Sequence, residues 1–216
     1  MTDPNYTHIS FLLDRSGSMQ SIKSDTEGGF AAFIAEQRKS AGRSTVTLAQ
    51  FDNEYAEVYR ATPLADVPPL RLEPRGSTAL LDSMARIIRD TGAWLAAMPE
   101  EERPGTVILG VMTDGMENAS KEWTHAAVKA LVEEQEEKYD WTISYLGANQ
   151  DAIEVGARMG VARERSLTYA GGKVADAMAV YSESVDSLKA ARAAGMDPKT
   201  AKRAAAFSRS QRNRAT

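Results

Sequence analysis

The sequence predicts an α/β domain of the Rossmann-like, doubly wound kind, a mostly parallel sheet covered by helices on both faces. Three observations carry that expectation. Short β-branched or aromatic runs alternate with longer amphipathic ones, most of the short runs end in turn chemistry, and 216 residues with 43% hydrophobic content suffice for one core without a disulfide or structural metal.

The short runs predict strands over residues 8–14, 45–51, 56–61, 106–113 and 141–146, with a sixth near 166–169. Between them, Phe30, Phe33, Ile34 and Gln37 recur at helical spacing within 26–40. Leu81, Met84, Ile87, Ile88 and Leu95 do the same within 80–98, and each set reads as a helix stripe facing a sheet. Further helices are expected over 123–139 and 152–159. A last one carries Val174, Met178, Tyr181, Val185 and Leu188 and stops before Gly195 and Pro198. Only Asp52, Asn53 and Glu54 separate the second and third strands, too few residues for a helical crossover, so these two form an antiparallel hairpin. The Pro-rich stretch 66–77 then returns the chain to the carboxyl end of the first strand.

Composition narrows the chemistry. Zero Cys removes thiol nucleophiles, disulfides and Cys-type metal centres, and two histidines, His8 and His125, are too few for a His-rich centre. No segment reaches ~18 continuous apolar residues and the first residues lack a signal-peptide pattern, so a cytoplasmic protein away from membranes is expected. The body and the end of the chain differ in sign. Residues 1–197 carry 20 basic against 30 acidic residues and form the expected domain; residues 198–216 carry six basic residues and no acid. That end is expected to be a disordered tail, available to an acidic partner or a nucleic acid.

The first strand ends in Asp14-Arg15-Ser16-Gly17-Ser18, the fourth in Thr113-Asp114-Gly115, and the Pro-rich linker in Arg75-Gly76-Ser77-Thr78. Ligands of open α/β sheets collect outside the carboxyl ends of the strands, where these groups fall. The donors are all oxygen, which favours Mg²⁺, with Mn²⁺ or Ca²⁺ as alternatives.

Asp14-x-Ser16-x-Ser18 with Thr78 and Asp114 resembles the metal-ion-dependent adhesion site of von Willebrand factor A domains, and the likeness spans roughly residues 6–190. The resemblance implies six strands in the order 3-2-1-4-5-6 with the third antiparallel. It implies Ser16, Ser18 and Thr78 as hydroxyl ligands, and Asp14 and Asp114 as carboxylates acting directly or through water. It further implies a non-enzymatic, intracellular bacterial or phage module that binds a partner's Asp or Glu through the ion. An AAA+ ATPase or a multiprotein assembly is a plausible partner. Arg15, Asp52, Asn53, Arg75 and Glu117 are expected on the rim as partner contacts.

Two other readings compete. A nucleic-acid-associated protein would use the basic tail, although a body at −10 opposes a broad phosphate-binding face. A Mg²⁺-dependent phosphatase-like hydrolase would want an acid two residues after Asp14, where Ser16 stands. A serine hydrolase lacks its G-x-S-x-G elbow.

Overall fold

The computed structural model describes residues 2–216. Six strands, β1 (Asp3–Asp14), β2 (Arg43–Phe51), β3 (Tyr55–Pro63), β4 (Pro104–Thr113), β5 (Thr142–Ala148) and β6 (Ser166–Tyr169), form one sheet in the order β3-β2-β1-β4-β5-β6. Every neighbouring pair is parallel except β2 and β3, which are antiparallel. The three-residue link therefore makes the hairpin its length requires.

Alternation along β1 sends Ile9, Phe11 and Leu13 to one face and Leu12 to the other. On the first face lie α1 (Lys23–Gln37) and α5 (Val174–Ala193), whose Phe30, Phe33 and Tyr181 close around Phe11 with ring centroids 5.4–6.2 Å from it or from each other. The opposite face is covered by α2 (Leu80–Ala96), α3 (His125–Lys138) and α4 (Ala152–Arg158). All three predicted helix stripes are buried.

The α2 face also carries a polar cluster. His8 is fully buried; its Nδ1 lies 2.9 Å from Thr45 Oγ1, and its Nε2 lies 3.2 Å from Ser10 Oγ and 3.3 Å from Thr47 Oγ1. Ser10 Oγ continues to Thr91 of α2 at 3.1 Å, and the Trp94 ring lies 4.6 Å from the imidazole. Burial pulls the His8 pKa down to about 3.

The expected disordered tail needs correction. Residues 198–216 fold into α6 (Pro198–Ala204) and α7 (Arg209–Ala215) and pack Ala201, Ala205, Phe207 and Ala215 into the α1/α5 face. Asp197 caps α6 through Lys199 N and Thr200 N, and Ser208 with Gln211 forms a capping box at α7. Arg212 donates to the carbonyls of Ser166 and Arg163, and Ala170 N donates to Ala215 O, so α7 is tied to the β6 edge. Three of the six cations are spent internally: Arg212, Lys202 on Glu136 O, and Arg214 on Glu183. A tail acting as a free basic arm is not what these bonds describe.

Candidate functional site

The carboxyl ends of β1 and β4 stand side by side because the two strands are neighbours in register, Leu13 beside Met112. β1 ends at Asp14 and β4 at Thr113, each one residue past that pair, so Asp14 and Asp114 fall at the same edge of the sheet. Asp14 is fully buried: its Oδ1 accepts from Ser16 N at 2.6 Å and its Oδ2 from Thr113 Oγ1 at 2.5 Å. Ser16 Oγ lies 3.1 Å from Ser18 Oγ, which donates to Asp114 Oδ1 at 2.6 Å. Thr78 comes from the third loop. A Cβ placed on Gly115 would lie 2.9 Å from Thr78 Oγ1, 3.6 Å from Asp14 Oδ2 and 3.7 Å from Ser16 Oγ, so these three oxygens face one point that only glycine leaves open. Ser18 and Asp114 are joined to this group through the Ser16 hydroxyl, so all five predicted side chains lie at one edge of the sheet.

Burial, with the charge of Asp114 nearby, pushes the Asp14 pKa up to about 6 against the bonds from Thr113 and Ser16. Asp114 is also raised, again by burial. Two carboxylates thus share a partly desolvated edge with three neutral hydroxyls and, among the described residues, no cationic side chain bonded to either acid.

Three loops are locked to one another behind these groups. Arg15 N donates to Phe51 O, Arg75 N to Arg15 O, Gly17 N to Gly76 O, and Ala79 N to Asp52 O. Asp52 fastens them: its Oδ2 accepts from Arg15 Nε at 2.9 Å and Arg75 Nε at 2.8 Å, and its Oδ1 from Glu54 N at 2.7 Å. Burial would raise its pKa, but Arg75, Glu54 N and Arg15 outweigh that and hold it below the usual carboxylate range. Gly76, at φ +66°, passes so close to Asn53 that a Cβ there would meet Asn53 Oδ1 at 2.2 Å.

The expected rim therefore divides. Asn53 and Arg75 are exposed at the edge and Arg15 is half-buried. Asp52 is 0% exposed, with both carboxylate oxygens occupied, and cannot meet a partner; its role is to hold the loops. Glu117 is likewise committed within the chain, accepting from Leu81 N, Ala119 N, Ser120 N and Ser120 Oγ, and so pins the start of α2 directly after Thr78. Replacing Asp52 with Ala is expected to cost about 2–3 kcal/mol, because the nearly buried Arg15 loses its counter-charge while the more exposed Arg75 turns to water. The urea midpoint checks it, and a loss under about 0.5 kcal/mol would rule out a structural role.

Sequence reasoning passed over Thr113, which bonds Asp14, and Gln150, whose Nε2 donates to Gly115 O at 3.3 Å. Thr113 carried a signal, a hydroxyl at a buried strand end directly before Asp-Gly. Gln150 carried none.

Among solved structures, a von Willebrand factor type A protein from Catenulispora acidiphila matches 84% of this chain over 43% of its own, at 13% identity and a TM-score of 0.56. The fold is that of a von Willebrand factor A domain. The vWF domain of the type V pili tip protein Mfa5 from Porphyromonas gingivalis matches 83% of this A-type fold over 95% of its own length, at 10% identity and a TM-score of 0.58. Proximal thread matrix protein 1 of the mussel byssus matches 87% over 46% of its own chain, at 15% identity and a TM-score of 0.55. The present A-type fold thus spans less than half the length of the Catenulispora and mussel chains. No family model and no curated protein sequence matches it. No helix among the described residues is long and apolar enough to cross a membrane.

Proposed function

We propose that the edge formed by Asp14, Ser16, Ser18, Thr78 and Asp114 holds a divalent cation, Mg²⁺ by the hardness of its donors, and through it captures a carboxylate of a protein partner. The observation that carries this reading is the gathering of five oxygen-bearing side chains from three loops: Thr78, Asp14 and Ser16 beside Gly115, and Ser18 and Asp114 joined to them through the Ser16 hydroxyl. The residues suit such an ion: every donor is oxygen, and burial leaves both carboxylates short of compensating positive charge. When bound, the ion would supply a positive centre that prefers an anionic oxygen.

The chain's own part is placement. Asp14 orients Ser16 through its backbone N–H, Asp114 orients Ser18 through its hydroxyl, and Glu117 with Asn118 fixes Thr78. With the uncharged hydroxyls as its nearest donors and the two carboxylates acting through water, the dication would stay under-neutralised and attractive to a partner's Asp or Glu.

This is a binding module in our reading, not a catalyst. Both serine hydroxyls are engaged with Asp114 or each other, while His8 sits in the middle of β1 and His125 opens α3, so neither serine has an imidazole beside it. Among the solved structures of this fold, one is a pilus tip protein's domain and another a pilus adhesin, SpaC from Lactobacillus rhamnosus GG. A member of a multiprotein assembly or an AAA+ ATPase would be a suitable partner if it offers an exposed acid. Affinity capture from lysate in Mg²⁺ is expected to retain partners that excess EDTA releases. Identical partner sets in both buffers would refute the reading.

A further inference from the structure

We propose that a groove between α2 and α3, reaching the end of the sheet away from the candidate metal edge, binds a small amphiphilic carboxylic acid. Its apolar body would lie against Ile88, Val107, Leu131 and Trp141, and its carboxylate would be held by the Gln135 amide. Such a site is separate from the metal edge and does not depend on it.

The groove has a volume of about 420 Å³, within the roughly 300–1,000 Å³ common for small-molecule clefts. It reaches the amino ends of the strands, since Thr2 precedes β1, Pro104 opens β4 and Trp141 precedes β5. Asp14 and Asp114 stand at the opposite ends of β1 and β4.

Gln135 is the residue that calls for a ligand. It falls on the buried stripe of α3 with Val128 and Val132, where an apolar side chain is the ordinary occupant. It is 9% exposed and lines the groove, yet its side-chain amide makes no hydrogen bond among the described residues. An amide so placed has given up most of its water for no partner, which is costly. A carboxylate in the groove would accept from its NH₂ group.

Charge selects the ligand. Arg89 and Arg103 line the groove and no Asp or Glu does. Arg103 donates to the carbonyls of Met98 and Ala96, Arg89 lies against the Trp123 ring, and neither pairs with a carboxylate among the described residues. An anion is therefore favoured there and a cation opposed. A single negative charge suits apolar walls better than a phosphate dianion, whose desolvation costs more.

The helix α2 adds depth through Gly92, which also lines the groove. Glycine inside a helix is less stable than alanine. Packing does not call for it here, because a Cβ on Gly92 would meet nothing within 4 Å. The missing side chain leaves room that a ligand can fill.

The test titrates decanoate into the full chain by calorimetry, in EDTA, with decyltrimethylammonium as the same apolar chain under the opposite charge. Decanoate is expected to bind saturably, at one site per chain and more tightly than the cation. Gly92→Leu puts a side chain into the groove and should abolish binding. Gln135→Leu should weaken decanoate about tenfold, the scale of a hydrogen bond to a charged group. The same change should not lower the melting temperature, because the amide has no bond to lose. Circular dichroism checks the fold of both variants, and Gln135→Leu carries the test should Gly92→Leu misfold. Equal binding of both amphiphiles, binding that survives a folded Gly92→Leu, unchanged affinity in Gln135→Leu, or no binding at all overturns the site. Because EDTA removes any divalent ion, none of these outcomes bears on the metal edge.

Discussion

Asp14→Ala is expected to erase the rise in melting temperature that saturating Mg²⁺ gives the native protein. An ion that binds only the folded chain, at a free concentration a hundred times its dissociation constant, stabilises by about 2.7 kcal/mol. For a domain of this size that corresponds to a shift of about 5–10 °C. Asp14 is the fully buried carboxylate of the set, and both its oxygens already position neighbouring groups, so its loss removes a charge and an anchor together. Because the substitution also frees Thr113 and Ser16 N, circular dichroism should accompany the melts. The double change Ser16→Ala with Ser18→Ala provides a second variant that keeps both carboxylates and is expected to lose the same shift. A full Mg²⁺ response in either variant, with the sheet intact, would remove the proposed site.

The second large effect concerns acid stability and lies on the opposite side of β1 from the phenylalanine cluster. His8 has a folded pKa of about 3 because it is buried among hydroxyls, against an ordinary value near 6.5. The unfolded chain therefore takes up a proton that the folded chain refuses. The stability held by the neutral imidazole is complete above about pH 6.5 and is lost as pH falls from there toward 3, by up to roughly 5 kcal/mol. Urea titrations at pH 7 and pH 4 should show this loss in the native protein and a smaller one in His8→Asn. The asparagine variant is expected to be less stable at pH 7, where it disturbs the bonds to Thr45 and Ser10. An equal loss in both proteins would place the acid sensitivity elsewhere.

Much of the architecture was legible because it rests on local signals. Short β-branched or aromatic runs, period-3.6 stripes such as Phe30, Phe33, Ile34 and Gln37, and the three-residue link after Phe51 each determine their element without reference to distant residues. The five-residue oxygen set was legible for a related reason: four of its members lie at or just past the ends of β1 and β4, which share an edge, and Thr78 closes the linker that returns the chain to it. The end of the chain was misread because its apolar anchors are mostly alanines. Ala201, Ala205 and Ala215 contribute little hydropathy, yet they allow α6 and α7 to approach the α1/α5 face closely. Their start signals, Asp197-Pro198 and Ser208 with Gln211, stood in the sequence unused. Asp52 was misplaced on the rim because its counter-charge, Arg15, is 37 residues away, and no local pattern shows that two loops will cross there.

The packing of α7 against β6 bears on how this molecule can associate. Arg212 and Ala215 occupy backbone positions at the β6 margin that another strand would need. At the far margin, β3 changes register twice against β2 and turns through Ala61 at φ +45°, with Glu57 and Arg60 on its surface. Neither flank offers a straight run of free amides and carbonyls for zippering with a copy or a foreign ribbon. Recruitment by sheet continuation is thereby disfavoured, which leaves the helix faces and the loops that crown the strands as the surfaces for association.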